Sequence, residues 1–129
     1  KQNAYTKCPS GAHLVQHTLV VMLENFRKGK ISLEKIVEKM CHNPAVLFRV
    51  EKRGFVREGY KADLVLVDLN EKWTVAKENI LYKCGWSPLE GTVFHSKVTH
   101  TFVNGNLVYD NGNLNEKKFG ERLLFEVQE

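Results

Sequence analysis

Several kinds of feature are scarce or missing in this 129-residue chain, and each absence excludes a class of protein. Cysteine is limited to Cys8, Cys41 and Cys84. An odd number, widely spaced and without a Cys-x-x-Cys pair, argues against a disulfide framework or a zinc ribbon and for reduced thiols in the cytoplasm. No run approaches the roughly 20 apolar residues of a membrane helix, and the N-terminus has no signal-peptide pattern. No His-x-His, Gly-rich phosphate loop or glycosidase-like carboxylate pair is present. Clustered positive charge is missing too. The net charge is +4, but the basic residues run from Lys1 to Arg122 among 15 acids, which reads as a solvated surface and not as a nucleic-acid interface.

What is present is enough for a core. Hydrophobic residues make up 43% of the chain, and a domain near this size buries roughly two-thirds of its unfolded surface. The chain divides into a helical front and a strand-rich back. A first helix is predicted from Ala12 to Phe26, with Ser10 as N-cap and Val15, Leu19, Met22 and Phe26 on one face. Arg27, Lys28 and Gly29 suit its C-terminal end. A second helix starts at Ser32, an N-cap, and carries Leu33, Ile36, Val37 and Met40. In "HNPAVLFRV", Asn43 can cap and Pro44 can open a short third helix running to Val50.

After Gly54 the period changes to that of strands. In "YKADLVLVDLN" both faces are apolar, which predicts a strand covered on both sides. "EKWTV" reads as another strand. "SKVTHTFVNGNLVYDNG" reads as a hairpin, Val98 to Val103 and Leu107 to Tyr109, turning at Asn104-Gly105. The tail from Asn113 is expected to be a docked extension or an oligomer contact. Long helices with no strand paired to them, followed by a small sheet, look as though the layer they cover were missing.

Among candidate chemical groups, His13 and His17 share a helical face at i and i+4. A zinc-protease motif needs Glu after the first histidine, and Leu14 stands there. Both histidines are therefore read as helix-surface or packing residues. His42 is read as structural, and Asp68 as the acceptor of turn N–H groups at a strand end. His95 and His100 have no partner that the sequence names.

Three stretches carry a family resemblance. "GFVREGYKADLVLVDLN", Gly54 to Asn70, resembles the segment in which amidohydrolase-superfamily enzymes leave a metal-bearing (β/α)8 barrel and re-enter a small β-domain. "GWSPLEGTVFHSKVTHTFVNGNLVYDNG", Gly85 to Gly112, resembles the end of that domain. "HNPAVLF" resembles the region of the last barrel helix. Within the superfamily, "CPSGAHLVQHTLVVMLE" is most similar to the dihydroorotase branch, although allantoinases and dihydropyrimidinases share the layout.

The resemblance implies an α+β fragment: terminal helices of a (β/α)8 metal-dependent hydrolase barrel over residues 1–54, part of the small β-sandwich domain over 55–112, and an extension over 113–129. It implies zinc in a longer parent, with every ligand and the proton-shuttling aspartate upstream of Lys1. No catalytic residue and no metal ligand is then expected in this chain, which alone should be inactive. The parent's metal would activate a water and polarise the substrate carbonyl, in reversible cyclisation of N-carbamoyl-L-aspartate to dihydroorotate. Ser10 and Gly11, by their match to a family loop, become substrate-binding residues at the active-site rim. A cytoplasmic homo-oligomer acting on a small molecule, with neither nucleic acid nor membrane as partner, is expected. A non-catalytic domain of this family that binds a partner enzyme is the alternative.

Overall fold

A computed structural model describes residues 14–117 and 120–126. Val15–His17 forms a 3-10 turn that continues as α1, Thr18–Arg27. Leu14 holds the N-cap position of this turn; Ser10 and Ala12, the expected cap and start, lie outside the described residues. Its end follows the residue chemistry. Gly29 takes φ +69°, and the N–H groups of Lys28, Gly29 and Lys30 close on the carbonyls of Glu24, Phe26 and Asn25.

The buried side of this helix differs from the expected stripe. His17, Val20 and Leu23 are buried, while Val15 is 89% exposed, and Leu19, Met22 and Phe26 are half-buried. Both faces are apolar enough to qualify. The side that is covered is the one that meets the segment 73–96, where Val20 packs with Val75 and Phe94, supported by Trp73, Ile80 and Leu89.

The second and third predicted helices are one. α2, Leu33–Val37, is capped by Ser32, whose hydroxyl accepts from the Lys35 N–H at 3.2 Å. It passes through a wide π turn, Glu38–His42, into α3, Asn43–Leu47. Asn43 is helical, at φ −61° and ψ −42°, and is not a separate cap. Pro44 explains the π turn. A proline inside a helix lacks an N–H, and its ring collides with the carbonyl four residues back; a widened turn relieves both. α3 ends at Leu47, short of Val50, because Arg49 turns left-handed at φ +52°.

The remaining chain forms two antiparallel sheets. One has the order β1-β4-β5-β6, with β1 at Leu64–Asp68, β4 at Lys97–Val103, β5 at Asn106–Asp110 and β6 at Asn113–Leu114. The other pairs β2, Trp73–Thr74, with β3, Val93–Phe94. The hairpin turn is the one the sequence predicts: Asn104 at φ +51° and Gly105 at φ +80°. Asp63 supports it, accepting from the Asn104 N–H at 2.8 Å and pairing with Arg53. The expectation that β1 is covered on both sides does not hold within the described residues. Leu64, Val65 and Leu66 are 37–49% exposed: among the described residues no further layer covers these side chains on the sheet's faces. The described part of the tail makes contacts with the segment after α3. Phe125 bridges Val50, the Glu51 N–H donates to Leu124 and the Glu126 N–H to Arg49. Lys61 adds an ion pair with Glu121 at 2.7 Å.

Candidate functional site

Ser10 and Gly11, the expected substrate-binding pair, lie outside the described residues, as do Cys8 and His13. Among the described residues the chain enters a helical turn at Leu14, and that turn is held by two consecutive side chains. Gln16 uses both ends of its amide. Its Nε2 donates to the Asn79 carbonyl at 2.7 Å, and its Oε1 accepts from the Leu81 N–H at 2.9 Å. His17 is fully buried, with Nδ1 2.9 Å from the Tyr82 hydroxyl. Its ring packs against both Trp73 and Phe94, with centroids 6.1 and 6.4 Å away, and those two rings also touch each other, 5.7 Å apart.

The partners of His17 are themselves fixed. Tyr82 Oη lies 3.5 Å from Ser87 Oγ. Ser87 sits in the Ser-Pro-x-x-Gly turn, where its hydroxyl accepts from the Leu89 N–H and its own N–H donates to Glu90 Oε1. Gly91, at φ +80°, returns its N–H to the Val75 carbonyl at 2.8 Å. His17 Nε2 has no hydrogen-bond partner. Burial lowers the His17 pKa from its ordinary value: an imidazolium here would bring two N–H donors into an apolar slot that satisfies one.

Farther along α1, Glu24 meets His95 at 3.3 Å and Lys28 at 3.8 Å. Burial would raise the Glu24 pKa, but the hydrogen bond and charge of His95, with Lys28, outweigh it and hold the carboxyl below its ordinary range. Glu24 and His95 edge a cleft of about 280 Å³ between α1 and the segments 69–70 and 95–96, with Arg27, Leu69 and Asn70 on its walls.

The profile of the amidohydrolase family matches residues 6–108, a span that takes in the helical turn, the His17 slot and nearly all of the hairpin. The chain belongs to the amidohydrolase family. A dihydroorotase of Pyrococcus furiosus is 38% identical over 104 residues, which take in 81% of this chain and 25% of the relative. An allantoinase of Desulfitobacterium hafniense is 29% identical over 124 residues, 95% of this chain and 28% of that protein. Among solved structures, an L-hydantoinase (dihydropyrimidinase) from Arthrobacter aurescens superposes with a TM-score of 0.81 at 32% identity, covering 92% of this chain and 27% of the other. The chain thus spans about a quarter of the length of the relatives it matches.

In this amidohydrolase chain the other singled-out residues have local duties. His42 stacks on Phe55 with centroids 4.3 Å apart, the structural role expected of it. Asp68 accepts from the Asn70 N–H at 2.7 Å, also as expected. His100 faces Asp110 at 3.2 Å. Cys41 and Cys84 are free and exposed. Among the described residues no group of three or more His, Cys, Asp or Glu side chains could hold a metal ion. The donor set therefore does not fit the family's metal, and no chemical step is assigned to one here. Sequence spacing did not find the link from Gln16 and His17 to Asn79, Leu81 and Tyr82, because those partners lie more than 60 residues away along the chain. The one local sign was the Ser-Pro-x-x-Gly turn, which marks a rigid platform without naming what rests on it.

Proposed function

We propose that this chain is the C-terminal part of a dihydroorotase, the enzyme that interconverts N-carbamoyl-L-aspartate and dihydroorotate. The observation that carries the reading is the 38% identity to a dihydroorotase across 81% of the chain. In this reading residues 1–54 are the last helices of the (β/α)8 barrel, 55–112 belong to the small β-domain and 113–129 are an extension. Zinc, held by residues outside this chain, supplies the activated water and the polarised carbonyl when bound. The complete enzyme works as a cytoplasmic homo-oligomer.

This part of the enzyme binds and orients. Ser10 and Gly11 form the substrate loop and present backbone N–H groups to the substrate carboxylate, which both N-carbamoyl-aspartate and dihydroorotate carry. Charge-assisted bonds of this kind are worth about 1.5–3 kcal/mol. Steady-state kinetics of loop variants in the complete polypeptide test the reading. Ser10→Ala keeps its N–H and should be mild. Gly11→Pro removes a donor and locks φ, and should lower kcat/KM roughly ten- to a hundredfold with the melting temperature retained. A folded Gly11→Pro enzyme with normal kcat/KM would show that the loop is no substrate contact.

A further inference from the structure

We propose that residues 121–126 are a strap that holds the connector 49–61 in a strained conformation, and so sets how the helices are joined to the four-stranded sheet. The inference uses contacts within this chain alone. It goes beyond the dihydroorotase reading and does not rest on it.

The strain lies at two residues. α3 closes with the Arg49 N–H on the Val46 carbonyl at 3.1 Å and the Val50 N–H on the Ala45 carbonyl at 2.8 Å. This closure places the residue after the helix in the left-handed region, a position that glycine usually fills. Here it is Arg49, at φ +52°, and Lys52 repeats the conformation at φ +53°. Among the described residues these two alone have positive φ without being glycine or asparagine. A Cβ makes that region costly, and such residues persist where their surroundings over-determine them.

The tail supplies that determination. The helix holds the Arg49 N–H, whereas the Arg49 carbonyl accepts from the Glu126 N–H at 3.0 Å, and the Glu51 N–H donates to the Leu124 carbonyl at 2.9 Å. Val50 and Phe125 face each other between these bonds as an antiparallel pair. The tail thus takes up the main-chain groups on either side of Val50, between the two left-handed residues. The Lys52 carbonyl accepts from the Lys61 N–H at 2.9 Å, which closes the 52–61 loop, and the Lys61 ammonium pairs with Glu121. The strap therefore reaches both the entry and the exit of that loop.

What the connector carries gives the strap its reach. Phe55 stacks on His42, and Gly54 packs tightly on Cys41 and Ala45, so one side is fixed to the helices. Arg53 serves the sheet: it donates to Asn104 Oδ1 at 2.8 Å and pairs with Asp63, which supports the same hairpin turn.

Limited trypsin digestion of the complete polypeptide tests the strap, each cut being mapped and timed by mass spectrometry. Arg49 and Lys52 are exposed and are themselves trypsin sites. Glu126→Pro removes the N–H that the Arg49 carbonyl accepts. Cutting after both residues should speed up roughly three- to tenfold, the change in open population expected when one backbone hydrogen bond is lost. Cutting after Lys77 and Lys97 should keep its wild-type rate. Glu121→Lys, which sets a like charge against Lys61, should act in the same direction by about twofold. Arg49→Gly relieves the strain, because glycine takes positive φ freely; combined with Glu126→Pro, it should return cutting after Lys52 towards the wild-type rate. Unchanged cutting after Arg49 and Lys52 in Glu126→Pro would overturn the proposal. So would faster cutting at all four sites alike, which is a general loss of stability. A double variant cut after Lys52 as fast as Glu126→Pro alone would overturn it too, by showing that the tail holds no strain.

Discussion

Gly54 is where a single methyl group should do the most damage. It sits at φ +78°, just past the end of the α2–α3 helix, and a Cβ built on it would run into the Ala45 Cβ and stand 2.8 Å from the Cys41 carbonyl oxygen. Ala45 belongs to the buried core, and the carbonyl is part of the helix, so neither can swing aside as a flexible side chain would. Gly54→Ala therefore combines two costs. A left-handed backbone costs a residue with a Cβ about 1–2 kcal/mol, and overpacking against a fixed wall costs about 1–3 kcal/mol more, for a total of roughly 2–5 kcal/mol. Gly59 supplies the control. Its φ is +77°, yet nothing lies within 4 Å of its added Cβ, so Gly59→Ala should show the backbone cost alone. Urea unfolding of the 129-residue chain, followed by tryptophan fluorescence, measures both. With an m-value of about 2 kcal/mol/M, a 2 kcal/mol difference separates the two midpoints by about 1 M. Equal midpoints would refute the reasoning and show that the helix yields at Ala45 and Cys41.

Two further changes probe other parts of the fold. The His17 pKa is depressed in the folded state, so the unfolded chain binds more protons below the ordinary value of 6.5; stability should fall as pH drops through that value and level off once the folded pKa is passed, and His17→Gln, read by urea midpoints at several pH values, should flatten that part of the slope. Gly105→Val should cost about 1–3 kcal/mol, because Asn104 and Gly105 both have positive φ; an unchanged melting temperature would count against this turn.

The features legible in the sequence were those that local backbone chemistry decides. The Asn104-Gly105 turn, the Ser32 cap and the Gly29 stop each depend on one or two residues and their own φ, ψ and hydrogen bonds, and all three appear as expected. Which face of α1 is buried was not legible, because the helix carries apolar residues on two sides and the choice is made by the 73–96 segment far along the chain. The cover expected over β1 failed for the same reason: an apolar strand says what it wants against it, not whether the described residues provide it. The π turn was hidden because "HNPAV" reads equally as a capped start or as a proline tolerated inside a widened helix. Of the candidate site, the loop residues came from resemblance, whereas the contacts of Gln16 and His17 needed the fold.

The dihydroorotase reading is tested most directly by steady-state rates of the complete polypeptide on a panel of cyclic amides. Efficient interconversion of dihydroorotate and N-carbamoyl-L-aspartate is predicted, with allantoin, hydantoins and dihydropyrimidines turned over poorly. The 129-residue chain assayed alone should show no activity. Preference for allantoin or for hydantoins would contradict the reading and place the enzyme in a neighbouring branch of the family. Activity in the 129-residue chain with stoichiometric zinc would contradict it more deeply, by putting the metal site among residues 1–129.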